Sequence, residues 1–198
     1  MIKKLVFATH NEHKKQEVGQ LLAPNYEVLS LSDIGCLDDI PETGTTFAEN
    51  ATLKSSYVME NYQLDCFADD SGLEVEALRG APGVYSARYS GQRGDQVNME
   101  FLLQKMAGVA NRKARFKTVI SLVQHGKTYL FEGVINGQLR SEPTGRNGFG
   151  YDPIFEPDGY QITFAEMELT EKNKISHRAQ AMRQLIQFLK KPSKIPEN

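Results

Sequence analysis

Ala114-Arg115-Phe116-Lys117-Thr118-Val119-Ile120-Ser121-Leu122-Val123-Gln124-His125-Gly126-Lys127-Thr128-Tyr129-Leu130-Phe131-Glu132-Gly133-Val134-Ile135 is the stretch that decides the fold. Two runs rich in β-branched and aromatic residues, Ala114 to Gln124 and Thr128 to Ile135, flank His125-Gly126-Lys127, which reads as a hairpin turn. A tight turn joins antiparallel neighbours. The chain before this hairpin alternates strand-like and helix-like patterns. A sheet built from both kinds of connection is mixed, and the expected class is α/β.

On the N-terminal side, Ile2 to Ala8 reads as a buried central strand. Its apolar run is too short for a signal peptide or a membrane span. Asn11 is placed to cap a helix from Glu12 to Leu22, with Val18, Leu21 and Leu22 as its apolar face. Val28 to Leu31 is a candidate short strand. Thr46-Phe47-Ala48-Glu49 is a capping box that opens a helix to Tyr62. Cys66-Phe67-Ala68 is a short strand that Asp69-Asp70-Ser71-Gly72 is expected to end. Leu73 and Val75 then alternate with Glu74 and Glu76 in a second, half-buried strand. Asp95 caps a helix carrying Phe101, Leu102 and Met106.

On the C-terminal side, Pro153-Ile154-Phe155 begins a short extended piece. Ser176 caps a last helix with Met182, Leu185, Ile186 and Leu189 on its apolar face. Pro192 to Asn198 reads as a frayed tail. Nothing repeats and nothing else resembles a linker, so residues 1–198 are expected to form one unit.

Composition narrows the function. Hydrophobic residues make up 40% of the 198 and charged residues 24%, which excludes a disordered chain. Twenty-three basic residues against 25 acidic give a net charge of -2, which disfavours polynucleotides and acidic membranes as partners. A basic site must therefore be local. The two cysteines, Cys36 and Cys66, form no CxxC pair, so a cysteine zinc site is not expected. Isolated thiols of this kind suggest reduced cysteines in the cytosol, with a single disulfide as the alternative.

Five segments carry chemical potential. In Thr9-His10-Asn11-Glu12-His13-Lys14 a strand runs into a polar loop and a helix start, which can hold an anion. An ordinary capped turn explains the same residues. Asp69-Asp70-Ser71-Gly72 places two acids after an apolar strand. Neighbouring strand residues face opposite sides, so one acid can serve a site while the other supports structure. A carboxylate there suits Mg²⁺ binding or proton abstraction, and a simple Asp-Ser-Gly turn is the alternative. Gly145 to Pro153 combines glycines with Phe149 and Tyr151, whose rings can stack on a base, and Asp152, which can read its edge. A glycine-rich hairpin loop is the alternative there. Leu169 to Arg178 puts cations beside a helix start, against the helix dipole, a conflict expected at functional sites; a solvated face is the bland reading. In Pro41 to Lys54, Asn50 and Lys54 share a helix face, Glu49 belongs to the capping box, and Glu42 is free for a metal. Together these pieces describe a nucleoside-triphosphate site without a Walker motif.

The segments resemble the inosine triphosphate pyrophosphatase family, also called dITP/XTP pyrophosphatases. The matching blocks are Ala8-Thr9-His10-Asn11 with Lys14 and Glu17, Glu42-Thr43-Gly44 with Thr46 to Ala51, Ala68 to Leu73, Gly80 to Tyr89, Gly148 to Pro153, and Ser176-His177-Arg178. They follow the family's order over residues 2 to 190. The resemblance implies a long central mixed sheet flanked by helices, with two lobes and the active site in the cleft between them. It implies Mg²⁺-dependent hydrolysis of ITP, dITP or XTP to the monophosphate and pyrophosphate, by a homodimer. By position, Thr9, His10, Asn11, Glu12, His13, Lys14 and Lys54 would hold the triphosphate. Asp70 would be general base and metal ligand, Ser71 would touch substrate, and Glu42 would be the second metal-linked acid. Phe149, Gly150, Tyr151, Asp152, Lys172, His177 and Arg178 would bind and select the base.

Two positions depart from the family's pattern. His10 stands where the family usually has glycine, and a side chain there would crowd the phosphate loop or change its backbone angle. Pro41 precedes Glu42 where some members carry a second acid. A Maf-like pyrophosphatase is the nearest alternative enzyme, and the Ser-His-Arg block and Phe-Gly-Tyr-Asp loop argue against it. A nucleotide sensor is the non-enzyme alternative, and the intact Asp69-Asp70-Ser71 block argues against that.

Overall fold

A computed structural model describes residues 3–190 of the chain. Six strands form one mixed sheet: β1 (Lys3–Phe7), β2 (Tyr26–Leu29), β3 (Cys66–Val75), β4 (Lys113–Gln124), β5 (Lys127–Leu139) and β6 (Phe155–Pro157). Their spatial order is β2-β1-β3-β4-β5-β6. β1 pairs parallel with β2 and β3, and every later pairing is antiparallel. The hairpin at His125 and Gly126 therefore does make the sheet mixed. Both residues take positive φ there, as the tight turn requires.

Five α-helices occur among the described residues: α1 (Glu12–Leu22), α2 (Phe47–Tyr62), α3 (Asp95–Lys105), α4 (Leu169–Ile175) and α5 (His177–Lys190). α1 starts as expected, with the Asn11 side chain accepting from Lys14 N–H. α2 starts on a complete capping box, Thr46 accepting from Glu49 N–H at 3.2 Å and Glu49 from Thr46 N–H at 3.1 Å. Thr46→Ala removes one half of that box. We expect a loss of about 1 kcal/mol, read as a lower urea midpoint at unchanged slope.

Several expectations need correction. Asp69-Asp70-Ser71-Gly72 does not end a strand; β3 runs straight through it. Each residue from Cys66 to Val75 faces a partner on β4, and that ladder outweighs the local turn tendency of Asp-Ser-Gly. Gly72 serves close approach instead of a turn, since a Cβ there would lie 2.3 Å from the Gly83 carbonyl oxygen and 2.6 Å from Ser86 Oγ. Leu169 to Ile175, read as the approach to a helix, is itself a helix. β2 lies at Tyr26–Leu29, and Leu31 leaves it to be buried in the core. Asp95 is the first residue of α3, behind Gly94, rather than its cap. The tail from Pro192 lies outside the described residues.

Three apolar clusters hold the sheet. α1 and α5 cover one face through Val18, Leu22, Met182 and Leu185 against Phe7 and Phe67. α2 covers the other face, with Val58 against Cys66 and Ala68. Leu73 and Val75 belong to a third cluster, with Leu102, Phe116 and Tyr151. Strand alternation puts Phe67, Asp69 and Ser71 on the α1–α5 face, and Cys66, Ala68 and Asp70 on the α2 face. The polar segment of β3 therefore lies between separate apolar cores, where charged groups from several elements can meet. Among the described residues no helix is long and apolar enough to cross a membrane.

Candidate active site

The middle of β3 is the hub. Asp69 is 1% exposed, and burial by itself would raise its carboxyl. Lys14, Arg178 and Lys54 overcome that cost and hold it well below the usual carboxylate range. Lys14 Nζ donates to Asp69 Oδ1 at 2.9 Å, and Arg178 Nε to Oδ2 at 3.2 Å. Ser71 Oγ also donates to Oδ2 at 2.8 Å and accepts from Arg178 Nη2 at 3.2 Å. Asp69 thus gathers Lys14 of α1 and Arg178 of α5 on one face.

Asp70, on the other face, is in the opposite electrostatic state. Burial pushes its carboxyl up, and Lys54 and Lys14 only partly offset this while Glu42 adds to it. Its Oδ2 accepts from Asn50 Nδ2 at 3.0 Å and its Oδ1 from Ser71 N–H at 2.9 Å. Two adjacent acids with pKa values pushed apart suit different roles, Asp69 as a charged anchor and Asp70 as a candidate proton acceptor. Asn50 itself is fixed because its Oδ1 accepts from Gly44 N–H at 2.8 Å. Lys54 Nζ bridges Glu42 Oε1 and the Asp69 carbonyl, each at 2.5 Å. Glu42 therefore lies on the site side of α2's start, while Glu49 is spent on Thr45 and Thr46.

A second buried ionic cluster adjoins the first. Lys172 Nζ donates to Glu17 Oε1 at 2.7 Å and Asp152 Oδ2 at 2.6 Å, with all three side chains 5% exposed or less. Arg178 closes the cluster on Glu17 Oε2. Phe149 lies against it: Lys172 Nζ is 5.1 Å and Arg178 Cζ 5.6 Å from its ring centre. His13 stacks on the same ring at 5.6 Å. His177 stacks on Phe116 at 4.8 Å. Burial lowers its pKa well below the ordinary value, so the ring is neutral at pH 7, and its Nδ1 has no partner.

The remaining candidates take other positions. Thr9 and Asn11 shape the loop, with Thr9 Oγ1 accepting from Asn11 N–H. Glu12 is exposed in the first turn of α1, where its charge suits the helix dipole. His10 turns away to Ser32 and Asp38 and keeps an ordinary φ. Tyr151 does not offer its ring to a base. It is 4% exposed in the core, and its hydroxyl donates to the Ser86 carbonyl at 2.8 Å. Gly150 N–H is taken by Asp95. Asp152 supports the loop through Phe149 N–H as well as Lys172, and Gly148 leaves room for it: a Cβ there would lie 2.1 Å from Asp152 Oδ2. Asn50 entered the sequence reading only as the neighbour of Lys54 on a helix face, and Glu17 only within a matching block; their roles in holding Asp70 and in pairing Lys172 and Arg178 were not legible there, nor was the anchoring role of Asp69. Glu17 carried a signal, an acid beside Val18 on the buried side of α1.

Two carboxylates, Asp70 and Glu42, converge near Lys54. Among the described residues no three His, Cys, Asp or Glu side chains form a metal cage. Mg²⁺ needs no such cage, because one or two carboxylates with substrate phosphates suffice, so these residues fit it.

A sequence model of the Ham1 family matches residues 5–188. The dITP/XTP pyrophosphatase of Christiangramia forsetii is 56% identical, covering 95% of this chain and all of its own. That of Porphyromonas gingivalis is 51% identical, covering 95% and 98%. The Staphylococcus aureus Ham1 protein superposes with a TM-score of 0.85 at 41% identity, covering 94% of this chain and 98% of its own. A HAM1 protein from Coxiella burnetii gives 0.86 at 38%, covering 96% and 100%. With the ordered motifs, the mixed sheet and near-complete coverage in agreement, this chain belongs to the Ham1 family.

Proposed function

We propose that the chain is a nucleoside-triphosphate pyrophosphatase that hydrolyses deaminated purine nucleotides, ITP, dITP or XTP, to the monophosphate and pyrophosphate. The observation that carries this reading is the gathering of Lys14, Lys54 and Arg178 around Asp69 and Asp70. Three cations beside a buried carboxyl whose proton affinity is raised suit a polyphosphate and an attacking water. The pyrophosphatases at 51% to 56% identity support the same assignment.

Lys14 and Lys54 are placed to neutralise phosphate charge, and Asp70 to take the proton of the water that attacks the α-phosphorus. Ser71 and Arg178 hold the opposite face of the strand in register. Mg²⁺, held by Asp70 and Glu42, would supply further charge neutralisation on the phosphates. Phe149, Lys172 and His177 form the base end. A 6-oxo purine accepts hydrogen bonds where adenine donates, so donors aimed there would be left unpaired by ATP, at roughly 1–3 kcal/mol per buried group. The two apolar cores on either side of the polar β3 segment support a cleft between two lobes. The family resemblance supports a homodimer and the two isolated thiols a cytosolic protein, which sedimentation and fractionation check.

Incubating the protein with Mg²⁺ and dITP, XTP, ITP, ATP or GTP tests the reading. We expect pyrophosphate from the deaminated purines, and activity that chelating the metal abolishes. Orthophosphate as the product would defeat the proposed reaction. Equal turnover of ATP and ITP would defeat the selectivity.

A further inference from the structure

His10 lies inside the loop that leads into α1, yet its ring points at neither Lys14 nor the acids of β3. Its Nε2 is 3.0 Å from the Asp38 carbonyl oxygen, and its Nδ1 is 3.4 Å from Ser32 Oγ. A carbonyl only accepts, so Nε2 carries the hydrogen. Nδ1 then accepts from Ser32 when the ring is neutral and donates to it when the ring is charged. The Asp38 contact survives either way.

The segment that His10 grips is the one that delivers Glu42. The Asp38 carboxylate accepts from Tyr57 hydroxyl on α2 at 2.6 Å. Asp39 pairs with Arg93 at 2.6 Å, and Glu42 follows, against Lys54. On the other side, Leu31 N–H donates to the Thr9 carbonyl at 3.2 Å, and Lys15 pairs with Asp33 at 2.7 Å. These two contacts fasten α1 and its loop to residues 31–33. His10 is the side chain that extends the fastening to Asp38 and so toward the acid.

We propose that His10 is a positioning residue, a strut that sets the spacing between the phosphate-binding loop and the acidic segment ending at Glu42. The inference rests on the triphosphate reading of the site. A glycine at this position could make neither contact. The strut keeps the cationic and acidic sides of the site at a fixed separation before substrate arrives, so less ordering is left for binding to supply.

His10→Gly and His10→Gln test it. Glutamine can donate an amide hydrogen to the Asp38 carbonyl and glycine cannot. With dITP and Mg²⁺, His10→Gly is expected to raise KM roughly two- to ten-fold, the worth of one hydrogen bond, with kcat within about two-fold. His10→Gln is expected to restore KM. Amide hydrogen exchange on the ligand-free proteins should quicken at residues 36–42 in His10→Gly and return toward the parent rate in His10→Gln. Unchanged KM and exchange in His10→Gly would overturn the strut. So would failure of glutamine to restore either one. A parent protein that releases no pyrophosphate, with exchange still faster in His10→Gly, would overturn the triphosphate reading and leave the mechanical link standing.

Discussion

Asp70→Asn is expected to lower kcat by about 10²- to 10⁴-fold, the usual contribution of a general base, while the protein stays folded. The fold should survive because the native site already disfavours the charge: burial raises the Asp70 carboxyl, and the neutral amide escapes that penalty. The new side chain keeps an oxygen for Ser71 N–H. Its amide nitrogen, however, faces Asn50 Nδ2, and Asn50 cannot flip without abandoning Gly44 N–H. One hydrogen bond is therefore lost, worth about 1 kcal/mol. Asp69→Asn makes the contrasting control. It leaves Lys14 and Arg178 facing an uncharged partner in a buried site, so stability should fall well beyond the loss in Asp70→Asn. Pyrophosphate release and urea melts of the two variants separate the roles. A near-normal kcat in Asp70→Asn would remove Asp70 as the base.

Local signals made part of this architecture readable. The hairpin at His125-Gly126, the Asn11 cap and the Thr46 capping box each lie within a few residues, and each is found where the sequence puts it. Alternation along a strand also separated Asp69 from Asp70 before any partner was known. The continuity of β3 was hidden because its cause is not local: Asp-Ser-Gly reads as a turn until Val119 and Thr118 of β4 are set opposite Asp70 and Ser71. α4 was hidden because its seven residues are too few to show a helical period, and no side chain caps it. The anchoring role of Asp69 was hidden, as the continuity of β3 was, by distance along the chain: its partners Lys14 and Arg178 are 55 and 109 positions away. The Tyr151 ring reads as a stacking surface in isolation, but the buried Ser86 carbonyl gives its hydroxyl a partner and the core claims it.

Lys172→Met is expected to be the most destabilising of these changes. Lys172 is 3% exposed and is shared by Glu17 of α1 and Asp152 of the glycine-rich loop. Methionine fills much of the space but leaves two carboxylates without that cation. Removing one member of a buried ionic group costs about 3–5 kcal/mol, on the order of 10 °C in Tm for a chain of this size. Lys174→Met on the same short helix is the control. Its pair with Glu171 is exposed, so its loss should change stability by roughly 0–1 kcal/mol. Equal losses in the two variants would refute the buried-charge account. The pH dependence gives a sharper test. Burial would raise the Glu17 carboxyl, but Arg178 and Lys172 hold it below the usual range. A depressed carboxyl stabilises the fold above its unfolded pKa, and that stabilisation fades as the pH falls through the folded value. In Lys172→Met the two carboxyls that lose this cation, Glu17 now held by Arg178 alone, take up protons at higher pH than in the parent, and protonation removes the buried charge that makes the variant unstable. The stability gap should therefore be widest near neutral pH and narrow as the pH falls toward about 4. A gap that stays constant from pH 7 to the acid range would assign the cost to lost packing, because packing carries no proton.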